Sequence, residues 1–218
     1  MQSLAAGQEH KMSKKNNLFA ALTLSLIVLS AVYMVNPSGT MSWDPRARII
    51  GYVPYRIPSG SMAPTLLRGD FILAHTFAYN SAPPNYRDVI VFFYPPNPDM
   101  VFVKRVIGLA GDRVEVRDKD LFINGVQQFE RYVLPFLDKR RSRKPYSTTV
   151  PEGMLFVLGD NRDNSIDSRV WGFVPANSVI GKVTRIWLSD NDDRIGPIAA
   201  PAARQTKTDR ISSPANAQ

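Results

Sequence analysis

The chain has 218 residues, of which 44% are hydrophobic and 21% are charged, and its net charge is +8. This composition is that of an ordinary globular protein with one sizeable domain and some appendages. The basic residues are scattered and form no known nucleic-acid-binding module, so we expect no nucleic-acid partner. There is no cysteine, which excludes disulfide scaffolds, cysteine nucleophiles and cysteine zinc sites. With His10 and His75 as the two histidines, we expect no metal site and no cofactor.

The N-terminal region is typical of a membrane anchor. Residues 1–17 are polar and end in a lysine-rich stretch, and residues 18–35 are apolar and uncharged. A run of this length is near the lower limit of the ~17–25 residues that span a membrane. The lysines before it predict a cytoplasmic N-terminal tail and an outward-facing remainder. The alternative is a cleaved signal peptide, but its apolar region is usually only ~7–15 residues long. We therefore predict a retained transmembrane anchor.

The rest of the chain is predicted to be mainly β. Residues 36–56 contain several Pro and Gly residues and are predicted to be a linker, and Asn124-Gly125 is a strong hairpin signal. The predicted strands are Phe71–Ala74, Val89–Phe93, Val101–Leu109, Arg113–Arg117, Leu121–Ile123, Met154–Leu158 and Val179–Leu188.

Two polar stretches are expected to lie outside the sheets. Residues 139–144 (KRRSRK) form a basic cluster, which is either a solvated loop or a contact with anionic lipid headgroups. Residues 196–218 are rich in Ala, Pro, Ser and Thr and are predicted to be a disordered tail.

A first candidate site is the turn around Ser59 and Ser61. The two serines flank Gly60 and are bracketed by Pro58 and Pro64. Such a rigid turn can expose a hydroxyl and leave backbone N–H groups free to face a developing oxyanion. Because Ser, Gly and Pro are ordinary turn residues, a purely structural turn remains the alternative.

A second candidate is Lys104, which lies inside an apolar predicted strand. Side chains alternate along a strand, so Lys104 shares a face with Phe102 and Val106, while Arg105 points away. Burial would lower the pKa of this lysine and let its neutral amine accept a proton from a serine. The alternative is an edge strand whose lysine reaches water.

A third candidate is the polar loop at residues 159–172. Asp163, Ser165 and Asp167 could hold calcium, but the loop lacks the turn glycine and the late glutamate of an EF-hand. A hydrogen-bonded loop whose carboxylates pair with Arg162 and Arg169 is the better interpretation. A solvated turn is the remaining alternative.

Together these segments resemble the bacterial type I signal peptidases, the S26 family of serine proteases with a Ser/Lys dyad. The family's four ordered motifs match P-S-G-S-M-A-P-T-L, G-D-F-I, K-R-V-I-G-L-A-G-D and G-D-N-R-D-N-S-I-D-S-R-V-W-G of this sequence, at residues 58–66, 69–72, 104–112 and 159–172. Ala110 departs from the usual proline of the third motif, at a loop position that should not affect the chemistry. The resemblance covers residues 57–188.

The resemblance implies a role for each matched residue. Ser61 would be the nucleophile and Lys104 its general base, Ser165 would orient the lysine, and Ser59 would complete the oxyanion hole. A second set would support the site or line the shallow pockets that suit Ala-x-Ala ends, namely Asp167 and Arg169 as a structural ion pair, and Ile57, Phe102 and Val103 as the substrate pocket.

The implied protein is a membrane-bound endopeptidase that removes signal peptides from exported preproteins. The expected fold is a signal-peptidase-type β-sheet catalytic domain over residues 57–195, with a small inserted β subdomain at about 114–150 and one N-terminal transmembrane helix. The expected location is the bacterial inner membrane, with the domain on its outer face and the lipid bilayer as a partner. The alternatives are a dedicated processing peptidase of a secretion or conjugation system, a self-cleaving Ser/Lys regulator, and a non-enzymatic anchored β-domain.

Overall fold

A computed structural model describes residues 2–117, 120–133 and 145–198, with side chains from residue 15 onward. The basic cluster at 139–144 and the tail beyond residue 198 lie outside the described residues. Helix α1 (Gln2–Val35) includes the predicted anchor, and it begins within the predicted polar tail. Its Lys15–Val35 part is long and apolar enough to cross a membrane, and none of it is buried against the rest of the protein.

Two antiparallel sheets form most of the regular structure in the rest of the described residues. The large sheet contains β1 (Tyr52–Arg56), β2 (Phe71–His75), β3 (Val89–Phe93), β4 (Val101–Gly108), β9 (Met154–Leu158), β10 (Val174–Pro175), β11 (Val179–Leu188) and β12 (Gly196–Pro197). The small sheet contains β5 (Arg113–Arg117), β6 (Asp120–Ile123), β7 (Val126–Gln127) and β8 (Tyr146–Thr149). The strand orders are β1-β2-β11-β3-β4-β9-β10, with β12 beside β11, and β7-β6-β5-β8. The mainly-β prediction is confirmed, and the small sheet is inserted between β4 and β9.

The structure differs from the sequence-based interpretation at both ends of the domain. Strand β1 lies inside the predicted linker and pairs with β2, and a one-turn π-helix (Arg46–Ile50) precedes it. Strand β12 lies at the start of the predicted tail and pairs with β11. The domain therefore begins before residue 57 and extends past residue 195.

Apolar side chains cover both faces of the large sheet and one face of the small sheet. One cluster, which includes Ile57, Met62, Leu66, Ile72 and Val91, packs on one face of the large sheet. A second includes Ile90, Phe92, Val106 and Val157 on the opposite face. A third joins the two sheets through Ile107, Val114, Leu121, Ile123 and Phe156. The core thus fixes β4 and the turn after β1 relative to each other.

The segment after α1, residues 36–51, packs against the end of that helix. The Arg48 guanidinium lies 5.0 Å from the ring centroid of Tyr33 in α1 and 4.3 Å from that of Trp43. The Tyr33 hydroxyl also donates a hydrogen bond to the Trp43 carbonyl at 2.9 Å. Cation–π contacts of a buried arginine are stronger than those at an exposed site. These contacts join the apolar helix to the segment that enters the catalytic domain.

The same segment also packs against the domain, near both of its ends. The Thr76 hydroxyl donates to the Ala47 carbonyl at 2.7 Å, and the Asn80 amide donates to the Pro37 carbonyl at 2.6 Å. Although its Pro and Gly content predicts a linker, the segment is hydrogen-bonded to residues next to β2. It is therefore a packed connection.

Candidate active site

Ser61 lies in a turn that is anchored by buried residues on both sides. Ile57 precedes the turn and Met62 and Leu66 follow it, and all three side chains belong to the same apolar cluster. The hydroxyl of Ser59 donates to Ser61 Oγ at 3.3 Å. The turn therefore holds the two serine hydroxyls together above a rigid base.

Lys104 reaches this turn from the middle of β4. Its Nζ lies 2.8 Å from Ser61 Oγ, which is within the reach required for proton transfer. The lysine is only 4% exposed, and it pairs across the sheet with Ile90. Its Nζ also lies 5.5 Å from the centroid of the Phe102 ring, on the face predicted from strand alternation. The structure thus brings Ser59, Ser61 and Lys104 together.

The environment of Lys104 favours its neutral form. Burial lowers the pKa of Lys104 from its ordinary value of 10.5 to about 8, and Arg169 acts in the same direction. The carboxylates of Asp167 and Asp160 oppose this effect without outweighing burial. A substantial fraction of neutral amine is therefore available in mildly alkaline solution, which is the condition for a lysine base.

The loop after β9 is fastened to the Ser61 turn. The backbone N–H of Asn161 donates to the Ser61 carbonyl at 3.1 Å, and its side-chain amide donates to the Gly60 carbonyl at 3.1 Å. Gly159 also lies against this turn, because a Cβ added there would be 2.5 Å from the Ser61 carbonyl oxygen and 2.5 Å from Ser165 Cβ. A glycine is required at this position because two chain segments meet there.

Ser165 is buried in the same loop, beside Gly159. Burial raises the pKa of the Asp167 carboxyl, but hydrogen bonds from Arg169, Gly159 and Ser165 outweigh it, so the net shift is downward. The orienting contact between Ser165 and Lys104 remains a prediction.

Asp167 and Arg169 form a bidentate pair, with both guanidinium-to-carboxylate distances at 2.7 Å. Asp167 also accepts from the Gly159 N–H at 3.1 Å, so the pair is attached to the loop that contacts Ser61. Because these donors already occupy the Asp167 carboxylate, the arrangement fits a hydrogen-bonded loop better than a calcium loop.

Arg105 takes part in a network that strand alternation did not reveal. It points away from Lys104 as predicted, yet it is 3% exposed and pairs with the fully buried Asp160 at 2.6 and 2.8 Å. Thr65 donates to the same carboxylate. The partner is 55 residues away, and neighbouring sequence gives no signal for such a pair.

The three predicted pocket residues do not share one face. Ile57 and Val103 pack with the same apolar cluster. Phe102 lies on the other side of β4 and stacks on Tyr94, with ring centroids 4.1 Å apart.

His75 is the one imidazole in the domain, and its ring stacks on Tyr52 at 4.7 Å. Lys104 is therefore the basic side chain in contact with Ser61 Oγ.

Comparison with known proteins agrees with this fold. The family model for signal peptidase, peptidase S26, matches residues 20–188. The chain therefore belongs to the S26 signal peptidase family. The N-terminal apolar helix is consistent with membrane anchoring.

Several individual proteins that match the chain are named signal peptidase I. A signal peptidase I from Pseudomonas aeruginosa is 34% identical, over 65% of this chain and 66% of its own length. A signal peptidase I from Bacillus caldolyticus is 37% identical, over 64% of this chain and 82% of its own length. A solved signal peptidase I from Enterococcus faecalis is 42% identical, with a TM-score of 0.43 over 46% of this chain and 97% of that one. The chain spans slightly less than two thirds of the length of the two Pseudomonas relatives, at 66% and 64%.

Proposed function

We propose that this protein is a membrane-bound serine endopeptidase that removes N-terminal signal peptides from exported preproteins, cutting after Ala-x-Ala-like sites. The observation that carries the proposal is the 2.8 Å contact between Ser61 Oγ and the buried Nζ of Lys104. Membership of the S26 family and the relatives named signal peptidase I support the same activity.

The geometry supports a complete acyl-transfer cycle. Neutral Lys104 accepts the proton of the Ser61 hydroxyl as Ser61 Oγ attacks the scissile carbonyl. The resulting oxyanion is stabilised by the Ser61 N–H and by the Ser59 hydroxyl, which rotates away from Ser61 Oγ. The lysine ammonium then protonates the leaving amine, and a water molecule activated by the same amine hydrolyses the acyl-enzyme. Ser165, held by Asp167, orients Lys104 throughout.

The membrane placement follows from the apolar helix. In the proposed arrangement α1 crosses the bacterial inner membrane once, with the lysine-rich end in the cytoplasm. The catalytic domain then lies on the outer face, where signal peptides emerge still embedded in the bilayer. The bilayer and the preprotein signal peptide are the two partners that this arrangement requires.

Cleavage of a preprotein with an Ala-x-Ala site by the full chain in detergent tests the proposal. We expect the wild type to release the mature protein, with its N-terminus directly after the second alanine, and the Ser61→Ala variant to release none. The isosteric control Ser189→Ala removes a hydroxyl that bonds to Asp70 outside the site and should leave cleavage intact. Equal cleavage by the wild type and Ser61→Ala would contradict the nucleophile assignment.

The rate of cleavage should depend on pH through Lys104. A base is active when unprotonated, so kcat/KM should be low in acid and rise through an apparent pKa of about 8. Steady-state rates measured between pH 5 and 10 test this rise of kcat/KM. A rate that stays constant down to pH 5 would exclude a lysine base.

A further inference from the structure

A short segment that follows the small sheet, residues 128–133, contacts the loop after β9. It follows β7 and carries Glu130 and Tyr132. The Glu130 carboxylate accepts from both terminal nitrogens of Arg162, at 2.7 and 2.6 Å, and the Tyr132 hydroxyl donates to it at 2.6 Å. Arg162 belongs to the loop after β9, so two separate parts of the chain meet in this ion pair.

The ion pair is buried, which makes its loss costly. The side chain of Arg162 is 2% exposed and that of Glu130 is 9% exposed. A buried guanidinium that loses its carboxylate is left as an uncompensated charge in a low-dielectric setting. Removing the Glu130 charge should therefore displace Arg162 toward water and leave the protein folded but locally rearranged.

Arg162 is linked to the Ser61 turn by a series of hydrogen bonds. Its Nε donates to the Gly159 carbonyl at 3.0 Å, and its own carbonyl accepts from Arg169 at 2.9 Å. The neighbouring Asn161 bonds to the Ser61 carbonyl through its N–H at 3.1 Å. A continuous set of contacts thus runs from Glu130 through residues 159–162 to the proposed nucleophile.

The same segment also touches the strand of the proposed base. The Tyr132 ring lies 4.0 Å from the Arg105 guanidinium carbon, and Arg105 follows Lys104 in β4. Arg105 is in turn paired with Asp160 in the loop after β9. The 128–133 segment therefore contacts both elements that must keep Ser61 and Lys104 in register.

We propose that Glu130 is a positioning residue for the peptidase reaction, acting through Arg162 on the Ser61 turn. The proposal rests on the proposed function. It also gives the small inserted sheet a role in catalysis, because that sheet delivers Glu130 to the site. Glu130 does not touch the reacting atoms, so its effect should appear in kcat and not in the pKa of the base.

The test compares Glu130→Gln with Glu115→Gln in the full chain. Glu115 is the matched control because it belongs to the small sheet itself but pairs with Arg113 and Arg117, whose side chains are at least half exposed. We expect Glu130→Gln to lower kcat roughly 10-fold, because small misplacements of a nucleophile are costly, with KM within about twofold. The apparent pKa at which the rate rises with pH should not change, because burial, Asp167, Asp160 and Arg169 set the pKa of Lys104.

Hydrogen–deuterium exchange provides a readout that does not depend on cleavage. Amides in residues 58–66 and 159–164 should exchange faster in Glu130→Gln than in Glu115→Gln or the wild type. Equal exchange and equal kcat in the two variants would overturn the proposal, as would a fall in kcat fully explained by a smaller folded fraction. If the wild type cleaves no preprotein, the proposed function fails while exchange still decides the role of Glu130. Should Glu130→Gln not fold, Tyr132→Phe removes only the hydroxyl donated to Glu130, and it should show the same changes at smaller amplitude.

Discussion

Replacing Lys104 with methionine should reduce cleavage at least roughly a hundredfold and, at neutral pH, raise the melting temperature of the protein. The first effect follows because general-base catalysis contributes about 10²–10⁴-fold and no second base contacts Ser61 Oγ among the described residues. The second follows because methionine fills a similar volume in the apolar site without requiring a buried charge.

The pH dependence of this stability gain can be worked out from the pKa. An unfolded lysine titrates near 10.5, and burial lowers the pKa of Lys104 in the folded protein to about 8. Below pH 8 both states bind the proton, and the folded state bears the full cost of the buried ammonium, about 3 kcal/mol. That cost declines as pH rises from 8 to 10.5 and is absent above it. The gain from Lys104→Met should therefore be largest below pH 8 and fade in alkali.

Thermal melts at pH 6.5 and pH 10.5 measure this difference, with Lys182→Met as the control. Lys182 lies in the same large sheet, but it is 42% exposed and pairs with Asp88 at 2.6 Å. Its replacement should preserve cleavage and lower stability slightly. A Lys104→Met variant that cleaves at the wild-type rate, or that is less stable at pH 6.5, would contradict the assignment of a buried lysine base with a lowered pKa.

Replacing Gly159 with alanine should reduce cleavage at least roughly a hundredfold through a purely steric effect. The added Cβ would lie 2.5 Å from the Ser61 carbonyl oxygen, a distance that real contacts do not show. Either the Ser61 turn or the Ser165 backbone must therefore move. A displacement of about 1 Å at a reacting group costs on the order of 10²-fold in rate, and overpacking costs about 1–3 kcal/mol of stability.

Gly60→Ala is a suitable steric control for the stability measurement, because a Cβ at Gly60 would meet no atom within 4 Å. Its melting temperature should match that of the wild type, while that of Gly159→Ala should fall. Cleavage by Gly159→Ala at more than a tenth of the wild-type rate would show that the loop after β9 can move without disturbing Ser61.

Much of this architecture could be predicted from local sequence. Val89–Phe93 and Met154–Leu158 are continuous apolar runs, and they form β3 and β9 with the predicted bounds. Asn124 and Gly125 take positive φ values of 53° and 79°, as their hairpin signal requires. Strand alternation placed Lys104 on its apolar face. These features depend on a few neighbouring residues, so periodicity and turn chemistry suffice to find them.

Strand β1 was missed for a local reason that the structure explains. It contains Pro54, and a proline inside an apolar run argues against a central strand. In the sheet order β1 is an edge strand that pairs with β2 on one side, so the missing N–H can face away from its neighbour. Proline is tolerated at such a position.

The buried charge pairs between residues far apart in the sequence could not be predicted from it. Glu130 and Arg162 are 32 residues apart, and Arg105 and Asp160 are 55 apart. In the sequence Glu130 is an isolated acid beside aromatic residues, which is equally typical of an exposed turn. The Glu130–Arg162 pair forms because the segment after β7 packs against the loop after β9, and the Arg105–Asp160 pair forms because β4 and β9 are neighbours in the large sheet.

The packed segment after α1 has a consequence for which bond the proposed peptidase would cut. Because Arg48 joins the end of α1 to the domain and Thr76 holds Ala47, the domain cannot swing freely on a tether. In the proposed arrangement, where α1 spans the membrane, the height of Ser61 above the bilayer surface is then set by the fold. A substrate whose own apolar helix is embedded in the same bilayer would offer its backbone at a depth set by the length of that helix. We therefore expect bonds to be chosen by their elevation as well as by their flanking side chains.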